Sequence, residues 1–299
     1  MSSAHAVDGA REDAPPPLVS RFTQALEDYQ RSNRTFQVLS TLNAEAPATP
    51  PKTILILDSS FNPPTLAHKS MALSALYGDG RAGSSSSSSS RILLLLAINN
   101  ADKAPKPAAF PQRLAMMQAF GDDLLADVAA ADPRGDRYGC GGVDVAVTTE
   151  PYFHAKAAAV AAAGPYRASE QVYLTGFDTL IRIFDPKYYG GGGSMAAALD
   201  PFFARARLRV TMRTDAEWGG AAEQEAYLEE LRRGGLERVG GRTGWAERIE
   251  MVAGEKAVVS STKVREAVRR RDWDALKKLV SGDVADWIRD QGLYAGASV

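Results

Sequence analysis

Short apolar runs that alternate with helix-like segments constrain the fold of this chain more than any other feature. The first run, Ile54-Leu55-Ile56-Leu57, has no polar residue, which indicates a strand buried on both faces. Further strands are predicted at residues 92–98, 143–148, 172–175, 208–212 and 249–252, and helices at residues 65–77, 109–125, 151–163, 178–184 and 221–233. This alternation favours an α/β fold with a parallel central sheet flanked by helices. Ligands of such sheets bind at the carboxyl ends of the strands.

The rest of the chain suggests a boundary before this domain. Residues 1–17 are polar and rich in Ala and Pro, so we expect a disordered tail. Residues 18–42 are predicted as one helix, because Leu18, Phe22, Leu26 and Tyr29 recur at helical spacing. We therefore divide the chain into an N-terminal helix with its linker, 18–46, and a domain, 47–299. Within the domain we expect flexible loops at about 78–90 and 187–196, and C-terminal helices at 262–270, 273–280 and 284–291.

Composition excludes several kinds of site and partner. A formal net charge of -1 over 299 residues gives the chain no overall bias toward nucleic acid or acidic membranes. Cys140 is the single cysteine, which excludes an intramolecular disulfide and a cysteine-based zinc site. No apolar stretch approaches the roughly 18–20 residues that span a bilayer, and the N-terminus lacks the apolar core of a signal peptide. We expect a cytoplasmic protein, with the nucleus as the other possibility.

The turn that follows the first strand has features that suit a phosphate group. Thr65 and His68 are three residues apart at the start of a predicted helix, so they share a face. A helix N-terminus attracts phosphate, and an imidazole beside it can donate a hydrogen bond to a phosphate oxygen. A surface turn with a half-buried histidine is the alternative for an isolated Thr-x-x-His. The longer string Ser59–His68 after a buried strand favours a functional site.

A second turn near the C-terminus, Val259–Arg265, has similar chemistry. Ser261 or Thr262 can cap the helix that follows, and Arg265 can make forked contacts to phosphate. Lys263 in the first turn is unfavourable for the helix dipole unless an anion is bound. An ordinary capped surface helix is the alternative. Together the two turns indicate a nucleotide-handling enzyme.

These strings carry a family resemblance. Ser-Phe-Asn-Pro-Pro-Thr-Leu-Ala-His, Ser-Ser-Thr-Lys-Val-Arg and the later Gly292-Leu293-Tyr294 resemble the nicotinamide/nicotinate mononucleotide adenylyltransferase family of the nucleotidyltransferase superfamily. Gly176-Phe177-Asp178 resembles the Gly-x-Asp element of that family, and the resemblance covers roughly residues 52–295. It implies a Rossmann-like fold and transfer of AMP from ATP to a pyridine mononucleotide, giving NAD or its deamido form and pyrophosphate. It also implies Mg²⁺ held by phosphates and water, not by protein side chains.

The resemblance also implies roles for individual residues. The catalytic candidates, which would face the triphosphate, are His68, Thr65, Lys103 and Arg265. The candidates for binding ATP or nucleotide are Ser60, Phe61, Gly176, Asp178, Arg213, Ser261, Thr262 and Lys263. For stacking on the pyridine ring the candidates are Tyr152 and either Tyr188 or Tyr189, each of which could equally be a core or surface tyrosine.

Departures from the family pattern leave alternatives open. The family usually has Gly where Ser59 stands and a small residue where Phe177 stands, and this ring could narrow the site. The alternatives are another adenylyl- or cytidylyltransferase, an ATPase of the same superfamily, and a non-catalytic nucleotide-binding module. The sequence leaves the oligomeric state and the choice between amide and acid mononucleotide undecided.

Overall fold

A seven-stranded sheet forms the centre of the protein. The computed structural model describes residues 17–42, 50–78, 90–99, 107–134, 138–190, 194–213, 218–254 and 259–296. The strands are β1 (Phe36–Leu42), β2 (Thr53–Asp58), β3 (Ser90–Ala97), β4 (Cys140–Thr148), β5 (Glu170–Gly176), β6 (Ala206–Thr211) and β7 (Ile249–Val252). They lie in the order β1-β4-β3-β2-β5-β6-β7.

All neighbouring strands are parallel except β1, which pairs antiparallel with β4. From β2 the chain moves outward through β3 to β4, then returns to the other side of β2 and continues through β5, β6 and β7. This reversal is the topological switch point of a doubly wound sheet. The predicted Rossmann-like α/β fold is confirmed.

Helices cover both faces of the sheet. They are α1 (Leu18–Arg31), α2 (Leu66–Gly78), α3 (Phe110–Ala131), α4 (Phe153–Ala162), α5 (Phe177–Ile183), α6 (Met195–Phe203), α7 (Ala221–Glu230), α8 (Ser261–Arg269), α9 (Trp273–Lys277) and α10 (Gly282–Asp290). None of the helices in the described ranges is both long enough and apolar enough to cross a membrane.

Strand β2 shows how the sequence divides the core. Successive side chains of a strand point to opposite faces, so Leu55 and Leu57 join one buried cluster while Ile54 and Ile56 join the other. The first cluster includes side chains of α1–α3 and α8–α10, and the second includes side chains of α4–α7. The apolar run is therefore continuous because both faces are covered.

The prediction of one helix across residues 18–42 is wrong. Helix α1 ends at Arg31, where Ser32 turns to an extended backbone and its hydroxyl donates to the carbonyl of Tyr29 at 2.7 Å. The residues beyond form the edge strand β1, which is stabilised by pairing with β4. Helix α1 buries Phe22, Leu26 and Tyr29 in the first core cluster, so it packs on this sheet.

Part of the predicted loop 187–196 has regular secondary structure. Pro186–Tyr189 forms a 3₁₀ turn, and α6, a helix that the sequence analysis did not predict, begins at Met195. Residues 191–193 lie outside the described ranges, as do residues 1–16, 43–49 and most of the serine-rich loop, 79–89.

Candidate active site

The candidate site lies at the switch point of the sheet. Strands β2 and β5 are parallel neighbours, so their carboxyl ends, Asp58 and Gly176, lie side by side. The turn that starts at Ser59 leaves one end, and the Gly-Phe-Asp element leaves the other. The topology thus brings together two motifs more than 100 residues apart, at the edge where such sheets bind ligands.

His68 is held through both of its ring nitrogens. Its Nδ1 accepts the backbone N–H of Thr65 at 3.0 Å and lies 2.8 Å from the Thr65 hydroxyl. Because a backbone N–H can only donate, Nδ1 carries no proton, and in the neutral ring the proton is on Nε2. Nε2 lies 2.9 Å from Ser59 Oγ and donates to it. Burial lowers the pKa of His68 from 6.5 to about 4, so the ring is neutral at pH 7.

We predict that acid weakens the fold through His68. Its pKa is about 4 in the folded protein and near 6.5 in the unfolded chain, so the unfolded chain binds more protons between these values. The contribution of His68 to stability is therefore complete above pH 6.5 and decreases as the pH falls toward 4. Ring-labelled NMR should show the Nε2–H tautomer at pH 7 and a midpoint near 4. The resonance is assigned with His68→Gln, and a midpoint near 6.5 contradicts the prediction.

The backbone of the first turn is fixed by the core. Phe61 has a positive φ of 43°, unusual for a residue with a large side chain, and its ring is fully buried, 5.5 Å from the ring of His68. Ser60 beside it is exposed. The buried ring therefore holds the turn in place while its neighbour faces solvent.

The two phosphate-friendly turns are joined directly. Ser261 Oγ donates to the carbonyl of Pro63 at 2.8 Å, and Arg265 Nη1 donates to the carbonyl of Asn62 at 2.8 Å. The other arm of the guanidinium, Nη2, donates to Thr262 Oγ1 at 3.1 Å. Residues about 200 positions apart in sequence thus form one continuous surface.

The helix cap of the second turn is not the one predicted. Ser260 is the N-cap of α8, and its hydroxyl accepts the N–H of Lys263 at 3.3 Å. Ser261 and Thr262 are already inside the helix, and the Ser261 hydroxyl contacts the first turn. Thr262 and Lys263 are exposed at the start of the helix. Three hydroxyl residues in a row can each cap a helix, so sequence alone could not select Ser260.

Asn62 and Tyr294 are contacts that the sequence analysis missed. Asn62 Oδ1 accepts a hydrogen bond from the Tyr294 hydroxyl at 2.9 Å and another from the N–H of Ala108 at 3.4 Å. Both side chains are buried. Both residues stand in strings that carry the family resemblance, but their contact was not predicted, because 232 residues separate them.

The second motif is tied to the end of β6. Arg213 Nη1 lies 3.3 Å from Asp178 Oδ1. The fully buried amide of Gln224 clamps the backbone of Arg213, accepting its N–H at 2.9 Å and donating to its carbonyl at 2.7 Å. A Cβ on Gly176 would lie 2.7 Å from Asp178 Oδ1, so glycine keeps this carboxylate in place. Gln224 is a further residue that the sequence analysis missed.

Phe177 does not narrow the site as expected. Its ring is 5% exposed and packs edge-to-face against Tyr227 at 5.6 Å, in the second core cluster. Phe177 and Asp178 are consecutive residues of α5, so their side chains point in different directions, and the large ring fills the core.

The three candidate tyrosines form a cluster with His154 at the start of α4. The ring of Tyr152 is stacked 5.7 Å from that of His154 and lies 6.3 Å from that of Tyr188. Tyr189 is half-buried, and its hydroxyl donates to the carbonyl of Ile183 at 2.6 Å. Tyr152 is 38% exposed, so it presents the most accessible ring of the cluster.

A buried ion pair lies directly under the first turn. Lys156 Nζ on α4 is 2.5 Å from Asp58 Oδ2, and the side chains are 7% and 6% exposed. The ammonium also lies 5.3 Å from the centre of the Phe153 ring. The pair links the end of β2 to α4 and therefore to the tyrosine cluster. Lys103, another predicted phosphate ligand, lies outside the described residues.

Comparison of the sequence with known proteins identifies a curated relative. No family model matches the chain. A curated protein of Schizosaccharomyces pombe named "Putative nicotinamide mononucleotide adenylyltransferase" is 32% identical over 273 residues, 90% of this chain and 95% of the relative.

Solved structures are more distant. The nicotinic acid mononucleotide adenylyltransferase of Plasmodium falciparum complexed with NaAD is 13% identical and covers 81% of this chain and 97% of its own, with a TM-score of 0.48. The "Putative Nicotinate-nucleotide Adenylyltransferase from Vibrio parahaemolyticus" is 18% identical. The match covers 82% of this chain and 97% of that protein, with a TM-score of 0.41. On the extent of the match to the S. pombe protein, this chain belongs to the nicotinamide/nicotinate mononucleotide adenylyltransferase family.

Proposed function

We propose that this protein transfers AMP from ATP to nicotinamide or nicotinate mononucleotide. A phosphate oxygen of the mononucleotide attacks the α-phosphorus of ATP, the bond from that phosphorus to the bridging oxygen of the β-phosphate breaks, and pyrophosphate leaves. The products are NAD or its deamido form. The observation that carries the proposal is the direct joining of the two turns at the switch point, through Arg265 and Asn62, in a chain of this family.

Such chemistry depends on placing the reactants and neutralising charge, since no protein nucleophile is required. We propose that the triphosphate lies across the joined turns, where the exposed N-terminus of α8 and the guanidinium of Arg265 favour anions. The neutral ring of His68 has one donor, Nε2–H. We propose that this donor moves from Ser59 to a phosphate oxygen when ATP binds, while Thr65 continues to hold Nδ1.

The mononucleotide is assigned to the side of the site formed by α4 and the 3₁₀ turn. Tyr152 is accessible and its ring lies 6.3 Å from that of Tyr188, which supports stacking of a pyridine ring on one of them. Tyr189 is a weaker candidate, because its hydroxyl is bonded to the backbone. Gly176, Asp178 and Arg213 are proposed to contact nucleotide at the end of β5 and β6, with Ser60 and Phe61 contributing backbone groups.

Mg²⁺ is proposed to enter with ATP. Among the described residues no group of three or more His, Cys, Asp or Glu side chains could hold a metal ion, and the Asp178 carboxylate is paired with Arg213. The residues therefore fit an ion held mainly by phosphate oxygens and water. When bound, Mg²⁺ would neutralise charge on the phosphates.

One assay tests the proposal. The purified protein is incubated with ATP, Mg²⁺ and either mononucleotide, and the products are followed by ³¹P NMR and chromatography. We expect equal amounts of dinucleotide and pyrophosphate. Pyrophosphate without dinucleotide would indicate another acceptor, ADP and phosphate would indicate hydrolysis, and bound ATP without product would indicate a binding module. Each of these three results contradicts the proposal.

We predict that Arg265→Lys lowers kcat/KM for ATP by about 10–100-fold. A lysine has a single terminal nitrogen and cannot reproduce the planar fork whose two nitrogens contact Asn62 and Thr262, and a hydrogen bond to a charged group contributes about 1.5–3 kcal/mol. Steady-state kinetics with varied ATP measures the effect. Arg269→Lys, one turn further along α8 and exposed, is the matched control and should retain normal kinetics. Equal values of kcat/KM for ATP in the two variants would exclude a role for the forked contacts of the Arg265 guanidinium.

A further inference from the structure

The edge strand β1 meets the candidate site at one end. It is antiparallel to β4, and Phe36 lies opposite Thr148. The start of β1 therefore lies beside the carboxyl end of β4. Residues 149–152 connect that end to α4, and we call them the Tyr152 loop. Because β1 is antiparallel to β4, its first residues lie beside the Tyr152 loop. Without β1, this loop would lie at the open edge of the sheet.

Two hydrogen bonds join Thr35, the residue before β1, to the end of β4 and the start of this loop, and a third joins the loop to Thr148. The carbonyl of Thr35 accepts the N–H of Thr149 at 3.1 Å and the hydroxyl of Thr148 at 2.7 Å. The same hydroxyl oxygen accepts the N–H of Glu150 at 3.1 Å. Thr148 is fully buried. Its hydroxyl thus links the N-terminal segment to the backbone only two residues before Tyr152.

Helix α1 buries Tyr29 in the same core cluster as Val147, near the carboxyl end of β4. The side chain of Tyr29 is 1% exposed. Burial raises the pKa of the Tyr29 hydroxyl, which has no hydrogen-bond partner among the described residues. The N-terminal segment therefore contacts the Tyr152 loop through the carbonyl of Thr35, and the loop leads into α4, where the N–H of Lys156 donates to the carbonyl of Tyr152 at 2.9 Å.

We infer that residues 18–42 position the mononucleotide side of the site. They do so through Thr148 of β4, which is the positioning residue for the Tyr152 loop. This inference rests on the proposed function for the identity of the ligand. The segment holds the Tyr152 loop in place, so that the exposed ring is ready for the pyridine base. A preordered loop loses less conformational freedom when ligand binds. The contacts of ATP, on the two joined turns, do not depend on this segment.

Thr148→Val tests the inference in the full-length protein. The change conserves shape but removes the hydroxyl, leaving the N–H of Glu150 without its acceptor. We expect amide hydrogen exchange of Thr149 and Glu150 to accelerate about threefold or more, because a lost hydrogen bond contributes about 0.5–1.5 kcal/mol. We also expect KM for the mononucleotide to rise about 3–10-fold, with KM for ATP and kcat little changed.

Two further variants make the result specific. Thr148→Ser retains the hydroxyl and should restore slow exchange and normal KM. Ser40→Ala removes a bond from β1 to Gln118 on α3, 3.1 Å in length, and should leave the loop unchanged. The inference is overturned if exchange of the loop is unaffected by Thr148→Val, or if KM rises equally for both substrates. Were the native protein to make no dinucleotide, the proposed function would fail, and loop exchange would still decide whether the segment anchors the loop.

Discussion

Replacing His68 with alanine is expected to lower kcat by about 10²–10³-fold while the protein stays folded, as for loss of one preorganised donor at a developing charge. The ring is neutral at pH 7 and oriented by Thr65, so it offers a single N–H without bringing a positive charge. Pyrophosphate release at saturating ATP and mononucleotide measures kcat, and circular dichroism verifies the fold.

His68→Gln is the informative companion variant. Its side-chain amide keeps an N–H donor of similar reach, so we expect it to retain more activity than His68→Ala. A kcat near that of the native protein for His68→Ala would exclude the proposed role. Equal losses in both variants would instead show that the imidazole itself, and not simply a donor, is required.

Removing the buried cation beneath the site is expected to cause the largest loss of stability. Lys156→Met leaves the carboxylate of Asp58 buried without its partner at 2.5 Å, and breaking such a pair costs about 3–5 kcal/mol. For a domain of this size the melting temperature should fall by about 6–20 °C. Chemical and thermal denaturation followed by circular dichroism measure both quantities.

Two controls separate the buried charge from the loss of packing. The double variant Asp58→Asn with Lys156→Met leaves no charge unpaired and should recover a large part of the stability. Lys69→Met breaks a more exposed pair, Lys69–Asp127, whose side chains are 18% and 40% exposed, and should cost less than about 1 kcal/mol. A loss for Lys156→Met no greater than that of Lys69→Met would contradict the prediction.

Local patterns predicted the sheet well where burial alone determines structure. Ile54–Leu57 and residues 92–98 could only be buried strands, and the structure places them at the centre. Strand β1 was missed because Phe-Gln-Val-Leu-Ser-Thr-Leu mixes polar and apolar residues and becomes a strand by pairing with β4, about 100 residues later. The predicted helix extended over β1 because no proline or glycine follows α1 to mark its end.

The candidate site shows the same limit. Thr65 and His68 were expected to share a face because they are three residues apart, and the structure brings them into contact. The bond from Arg265 to Asn62 joins segments 203 residues apart, and no local pattern encodes it. Phe177 was misjudged for a related reason, because sequence gives the residue after Gly176 but not the direction of its side chain.

The hydrogen bond between Tyr294 and Asn62 also has a consequence during synthesis of the protein. Its two residues leave the ribosome 232 positions apart, and Arg265 and Ser261 follow the first turn by a similar delay. The central strands can therefore pair while the second turn has yet to be made. A partly synthesised chain would have a sheet but not the assembled triphosphate surface, so capacity to bind ATP would arise only when the last helices dock.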